Sequence, residues 1–160
     1  MRMKGGFRGA VFAVFTMMLI SGIAGSSSAA IVEEDYCWNI KITKDVFGAV
    51  NPPIIKLVKF HITPLGNGAT LAMTGQVNVA GDNPLYLMGI ATVGSTSIIA
   101  NLTTSQIHTD NWRDTGVLRV TLSRTTLNGA FYEVGNDFQQ ASLTPGIHFA
   151  SGVLTSRTCP

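Results

Sequence analysis

The densest run of chemistry-bearing side chains is His108-Thr109-Asp110-Asn111-Trp112-Arg113-Asp114. Here Trp112 could cap an apolar ligand while Arg113 pairs with a carboxylate or phosphate. The competing reading is a loop in which Arg113 pairs with Asp110 or Asp114 and Trp112 plugs one end of the fold. His108 and Asp110 have the types of a base and its orienting carboxylate. No Ser or Cys sits in a nucleophile motif, however, so no catalytic residue is assigned and the chain is read as non-enzymatic. His61, His108 and His148 lie far apart with no H-x-H or H-x-x-x-H spacing, so no metal site is expected. The glycine-rich pieces read as hairpin turns and open no helix, so no nucleotide or other cofactor is expected. Arg124 and Glu133 should face each other if Asn128-Gly129 forms a two-residue hairpin turn.

Those residues must be held by strands. Trp38, Ile40 and Ile42 alternate with Asn39, Lys41 and Thr43, and Val58, Phe60 and Ile62 alternate with Lys59, His61 and Thr63. Between 70 and 79, Leu71, Met73, Gly75, Val77 and Val79 take one face. This period of two is the mark of half-buried β-strands. Further runs cover 85–93, 97–105, 117–124, about 127–135 and 147–158, and Leu85–Val93 is apolar on both faces. Turn residues punctuate them, as in Gly66-Asn67-Gly68 and Gly81-Asp82-Asn83-Pro84. The pattern predicts an all-β, single-domain antiparallel up-and-down barrel of about eight strands, with a two-sheet sandwich as the alternative.

Cys37 opens the first strand and Cys159 follows the last. In a closed eight-strand meander those positions fall at the same end on neighbouring strands, so a single disulfide is expected there. Counting strands up and down puts the connections 44–53, 106–116 and 136–146 at the opposite end. Long loops gathered at one end of a β scaffold are where ligands usually sit. Over residues 36–159 the architecture resembles the calycins, the lipocalin and avidin type of ligand-holding barrel. Lipocalins carry Gly-x-Trp on their first strand, and here Tyr36 precedes Trp38 by two. The likeness is one of architecture and brings no ligand with it.

The chain has 160 residues, 46% of them hydrophobic and 12% charged, which excludes a disordered chain and a coiled coil. Arg2, Lys4 and Arg8 precede an apolar run from Ala10 to Ile23, and the small residues Gly25 to Ala30 follow. Residues 1–30 therefore read as a secretory signal peptide cleaved after Ala30, with 31–35 a short lead-in and 36–160 the barrel domain. The formal charge of +2 then becomes −1, with eight basic residues against nine acidic and no basic run, so no nucleic-acid partner is expected. A bilayer-spanning β-barrel is set aside. The ten aromatics after residue 30 form no two girdles, the last residues are Thr158-Cys159-Pro160, and several runs are shorter than a bilayer crossing.

The expectation is a secreted or periplasmic, non-enzymatic small β-barrel without a stable membrane span after cleavage. It would hold a small apolar ligand at its long-loop end, with Trp38, Phe60, Met73, Trp112, Arg113 and Phe138 as candidate binding residues. The alternative is a structural or protein-interaction domain with a filled core. Interior bulk decides between them. Gly75, Gly89, Ala91 and Gly152 would leave room if they point inward, whereas Trp38, Phe60 and Phe149 would fill it.

Overall fold

The computed structural model describes residues 30–109, 112–139 and 142–160, with backbone only for 138, 139 and 142–145. The expected signal peptide (1–29 of its thirty residues), Asp110 and Asn111 lie outside the described residues. Among the described residues there are eight strands and no helix. They are β1 (Glu34–Asp45), β2 (Gly48–Leu65), β3 (Thr70–Val77), β4 (Leu85–Val93), β5 (Ser97–Ile107), β6 (Trp112–Ser123), β7 (Gly129–Gln139) and β8 (Ser142–Arg157). Each pairs antiparallel with the next, and β8 returns to β1, so the sheet is a closed up-and-down barrel. The barrel expectation holds and the sandwich is excluded.

The parity read from the sequence sets the interior. Trp38, Val58, Phe60, Leu71, Met73, Val77, Leu118, Val120 and Leu122 all lie in one buried cluster. The outer face of the same strands carries Lys59, His61, Thr74, Gln76, Asn101, Thr103 and Arg119. The exterior is mixed, because Tyr86, Met88, Ile90, Val117 and Tyr132 are exposed on it as well. No helix among the described residues is long and apolar enough to cross a membrane.

One end of the barrel is sealed. The Trp38 ring meets Phe60 edge-on at 5.9 Å between centroids, and its Nε1 donates to the Leu127 carbonyl at 2.7 Å. Leu127 itself sits at φ 56°, an uncommon left-handed conformation for a leucine, in the turn joining β6 to β7. Ile31 and Tyr36 add to this plug. The sulfurs of Cys37 and Cys159 are bridged across a Cα–Cα distance of 5.1 Å, and Cys37 lies opposite Arg157 on β8. Closure brought the two cysteines together as expected.

Three expectations are corrected. First, the connections are not long. The β1–β2 turn spans only Val46 and Phe47, β5 runs to Ile107 and β6 starts at Trp112, so the hairpins extend as paired strands. Pro52 and Pro53 interrupt no ladder. The β1–β2 register jumps from Ile42↔Ile54 to Lys44↔Ala49, which leaves both prolines in a bulge, and β3 pairs with β2 only from Val58 onward. A missing N–H costs nothing there.

Second, Arg124 does not face Glu133. The β6–β7 turn runs from Ser123 to Asn128, with Ser123 N–H donating to the Asn128 carbonyl, and Glu133 lies opposite Leu118 instead. Arg124 donates to the Gly94 carbonyl at 3.2 Å.

Third, the expected spaces are filled. The Phe60 ring occupies the hollow over Gly75, the Phe131 ring lies 2.9 Å from where a Gly152 β-carbon would be, and Gly89 lies against the β5 backbone. Ala91 is fully buried. Phe149, opposite Val134, is on the outer face and fills nothing inside.

Candidate functional site

The inward-facing positions change character along the barrel axis. From the sealed end to mid-barrel they are apolar. Toward the other end they become Lys56, Thr104, Gln106, Asp114, Glu133 and His148. Here the lumen opens into a cavity of about 180 Å3 whose remaining walls include Phe60, Leu87, Leu118, Val120, Phe131 and Leu154. Two glycines make room for the Thr104 and His148 side chains. Gly116 and Gly135 are register partners on β6 and β7, and a β-carbon on Gly116 would lie 2.8 Å from the Thr104 hydroxyl. A β-carbon on Gly135 would overlap the His148 ring and lie 2.6 Å from the Thr115 carbonyl. His148 is thus laid across the glycine opposite it on β7.

Glu133 projects inward from β7, half-buried. Burial pushes its carboxyl above the ordinary range. The Thr104 hydrogen bond and the charges of His148 and Lys56 work the other way, and Asp114 adds to the rise. Thr104 and Gln106, both buried, come from β5. Lys56 comes from β2 and makes no direct ion pair among the described residues.

Above the cavity, a chain of paired groups rings the mouth. His108 Nδ1 meets Asp82 of the β3–β4 loop, and its Nε2 meets Asp114 Oδ2 at 2.7 Å. Asp114 faces Asp137 directly across β6 and β7, and Asp137 meets His148 Nδ1. Burial and then the Asp114 carboxylate hold Asp137 above its ordinary value, although His148 pulls it down. Burial lowers His108, but its two carboxylates outweigh that and leave it raised. Burial works to raise Asp82, yet the Thr109 N–H, His108 and the Asn83 N–H together hold it low. Further bonds tie the same loop down, from Asn83 Nδ2 to the Ile107 carbonyl at 2.7 Å and from Gln106 Nε2 to the Asn83 carbonyl at 2.8 Å.

Comparison with family models, curated proteins and solved structures found no match. The site's chemistry therefore rests on its own residues. Neither cysteine is available as a nucleophile, because both are in the disulfide. The cavity lining contains no serine, and its one hydroxyl is that of Thr104, which lowers the Glu133 carboxyl. Among the described residues no group of His, Cys, Asp and Glu is arranged to hold a metal ion.

The six candidate binding residues separate. Phe60 forms part of the cavity wall, and Trp112 lies at the mouth beside His108, Asp114 and Asp137. Trp38 and Met73 belong to the sealed end, where the space between side chains is only about 10 Å3. Arg113 is exposed on the outer face, away from the lumen, while its neighbour Asp114 points in. The Phe138 side chain lies outside the described residues. His108 is paired with Asp82 and Asp114, and the suggested partner Asp110 is among the undescribed residues.

Sequence reasoning missed Lys56, Thr104, Gln106 and His148 as cavity residues. The signal was present as parity. Each sits an even number of residues from a buried apolar neighbour on its own strand, as Lys56 does from Val58 and His148 from Leu154.

A larger hollow of about 490 Å3 lies outside the barrel, lined by Asp35, Lys59, His61, Gln76, Tyr86 and Pro160. It is open to solvent and its charges are spent on one another. Asp35 binds Lys59 Nζ at 2.6 Å and His61 Nδ1 at 3.0 Å. Such exposed pairs carry little energy and leave no chemistry over.

Proposed function

We propose that this protein is an exported, non-enzymatic β-barrel that holds one small amphiphilic molecule in its lumen, with the apolar body against Phe60, Leu118 and Phe131. The supporting observation is the lumen itself. One end is packed solid and bridged by a disulfide, while the other keeps an apolar-walled space with a few convergent polar groups. That combination is the ordinary form of a small-molecule site. The disulfide fits an oxidising compartment, outside the cell or in the periplasm, and the leader-like residues 1–30 support the same route.

The test is methyl and amide NMR of the purified protein against a panel of small apolar and amphiphilic molecules. Saturable shifts confined to Leu85, Leu87, Leu118, Val120 and Leu154 are expected. The substitution Leu118→Trp, which puts bulk into the cavity, abolishes them while the far-UV circular dichroism is unchanged. Shifts confined to the outer face, or none at all, contradict the proposal.

A second reading, as a protein-interaction domain, draws on one observation. Tyr86, Met88 and Ile90 form an exposed apolar stripe along the outside of β4. Light scattering across a concentration series tests its self-association form, which predicts a dimer that Met88→Lys returns to monomer.

A further inference from the structure

Within the cavity, the hydrogen-bond donors and acceptors are unequally committed. Gln106 spends its amide nitrogen on Asp82 Oδ2 at 3.3 Å and on the Asn83 carbonyl at 2.8 Å, so what it has left for the cavity is its carbonyl oxygen. Thr104 brings one hydroxyl, able to donate and to accept, and Glu133, an acceptor on both oxygens once ionised, forms no ion pair among the described residues. His108 and His148 are each bound to carboxylates of the rim. A molecule entering the lumen passes Asp82, Asp114 and Asp137 and reaches Glu133, with Lys56 on β2 the one cation in the lining not bound to a carboxylate. The unspent groups contributed by β5 and β7 are therefore acceptors, Lys56 on β2 is the unspent donor of the lining, and the path to them is lined with negative charge.

We infer that the head group of the ligand is a primary ammonium on a short apolar body, donating to Glu133, the Gln106 carbonyl oxygen and the Asp114 carboxylate. This rests on the lumen being a ligand site. An ammonium brings three donors and no acceptor, which matches this set, and its charge offsets the burial of the Glu133 carboxylate. A carboxylate head would meet three acceptors and the field of the rim. An alcohol would satisfy one acceptor and bring no charge to offset the burial of Glu133.

The test is titration calorimetry of the disulfide-intact protein with two matched series. These are hexylamine, 1-hexanol and hexanoate, and 2-phenylethylamine, 2-phenylethanol and phenylacetate. The amines are expected to bind at least tenfold more tightly than their alcohols and acids. Glu133→Gln brings the amine down to the level of the alcohol and leaves the alcohol unchanged, whereas Lys56→Gln does not weaken the amine. Amine affinity also rises with pH as Glu133 loses its proton. That profile includes the groups facing it, Asp114 from β6, His148 from β8 and Lys56 from β2, with Asp137 on its own strand, so it is read as the difference between the parent and Glu133→Gln. Tightest binding by the acids, lost in Lys56→Gln, overturns the ammonium and leaves the lumen as a ligand site. Equal binding of amine and alcohol does the same. Binding by no member of either series overturns both.

Discussion

A single β-carbon on Gly135 would collide with both the His148 ring and the Thr115 carbonyl, and only the ring could move aside. The substitution Gly135→Ala is therefore expected to cost ~1–3 kcal/mol, the usual penalty for overpacking. It should also displace His148 from the cavity wall, so denaturant unfolding and ligand titration should change together. At the sealed end, Trp38→Phe keeps an aromatic ring but a smaller one, so it removes the Nε1–H, orphans the Leu127 carbonyl and leaves a small void. The expected loss is about 1–3 kcal/mol in denaturant unfolding, with ligand affinity unchanged because Trp38 lies outside the cavity. The residues of the sealed end were legible in the sequence because they are apolar and alternate. Glu133 and His148 were not, since a polar residue facing inward has the same composition as one facing solvent.

The same limit appears in whole strands. The sequence reading begins β6 near residue 117 and ends β7 near 135, whereas the strands run from Trp112 and to Gln139. The missing stretches are those whose inward positions include Asp114, Gly116 and Asp137. Apolar alternation marks a strand only where the interior is apolar, so the rule fails where the lumen turns polar and the site begins. The β3–β4 loop, residues 78–84, is held over this region by Asp82 and Asn83.

That latch gives a pH dependence. His108 has a raised folded-state pKa, so its contribution is complete below the unfolded histidine value of about 6.5 and is lost as pH rises through the raised value. Asp82 has a lowered one, so its contribution is complete above the unfolded value of roughly 3.9 and is lost as pH falls through the lowered value. The latch is therefore strongest between about pH 4 and 6.5. Thermal unfolding across pH 4 to 9 should show Tm falling on the alkaline side, and His108→Asn should flatten that fall. His61, raised mainly by its hydrogen bond to Asp35, contributes in the same direction and leaves a residual slope. An unchanged alkaline limb in His108→Asn contradicts the latch.

At the scale of the whole molecule, the fold divides its work between two ends. The closed ladder and the disulfide, which spans 122 residues, hold the plugged end. Cross-linking a loop of that length stabilises by up to about 5 kcal/mol in the chain-entropy model. Reduction, or the Cys37→Ser/Cys159→Ser pair, should therefore lower unfolding stability by several kcal/mol without changing the cavity chemistry. Closure was legible from two cysteines and the strand count. The cavity lies at the end opposite the disulfide, where long loops were expected and paired strands around a polar lumen stand instead.

The claim that joins these scales is that the open half of the barrel is occupied in the working protein. Native mass spectrometry of the protein purified from its own source, before and after denaturing extraction, tests it most directly. A stoichiometric small-molecule adduct that disappears on denaturation is the predicted result. A bare mass in both spectra, with no thermal shift across either ligand series, would contradict it.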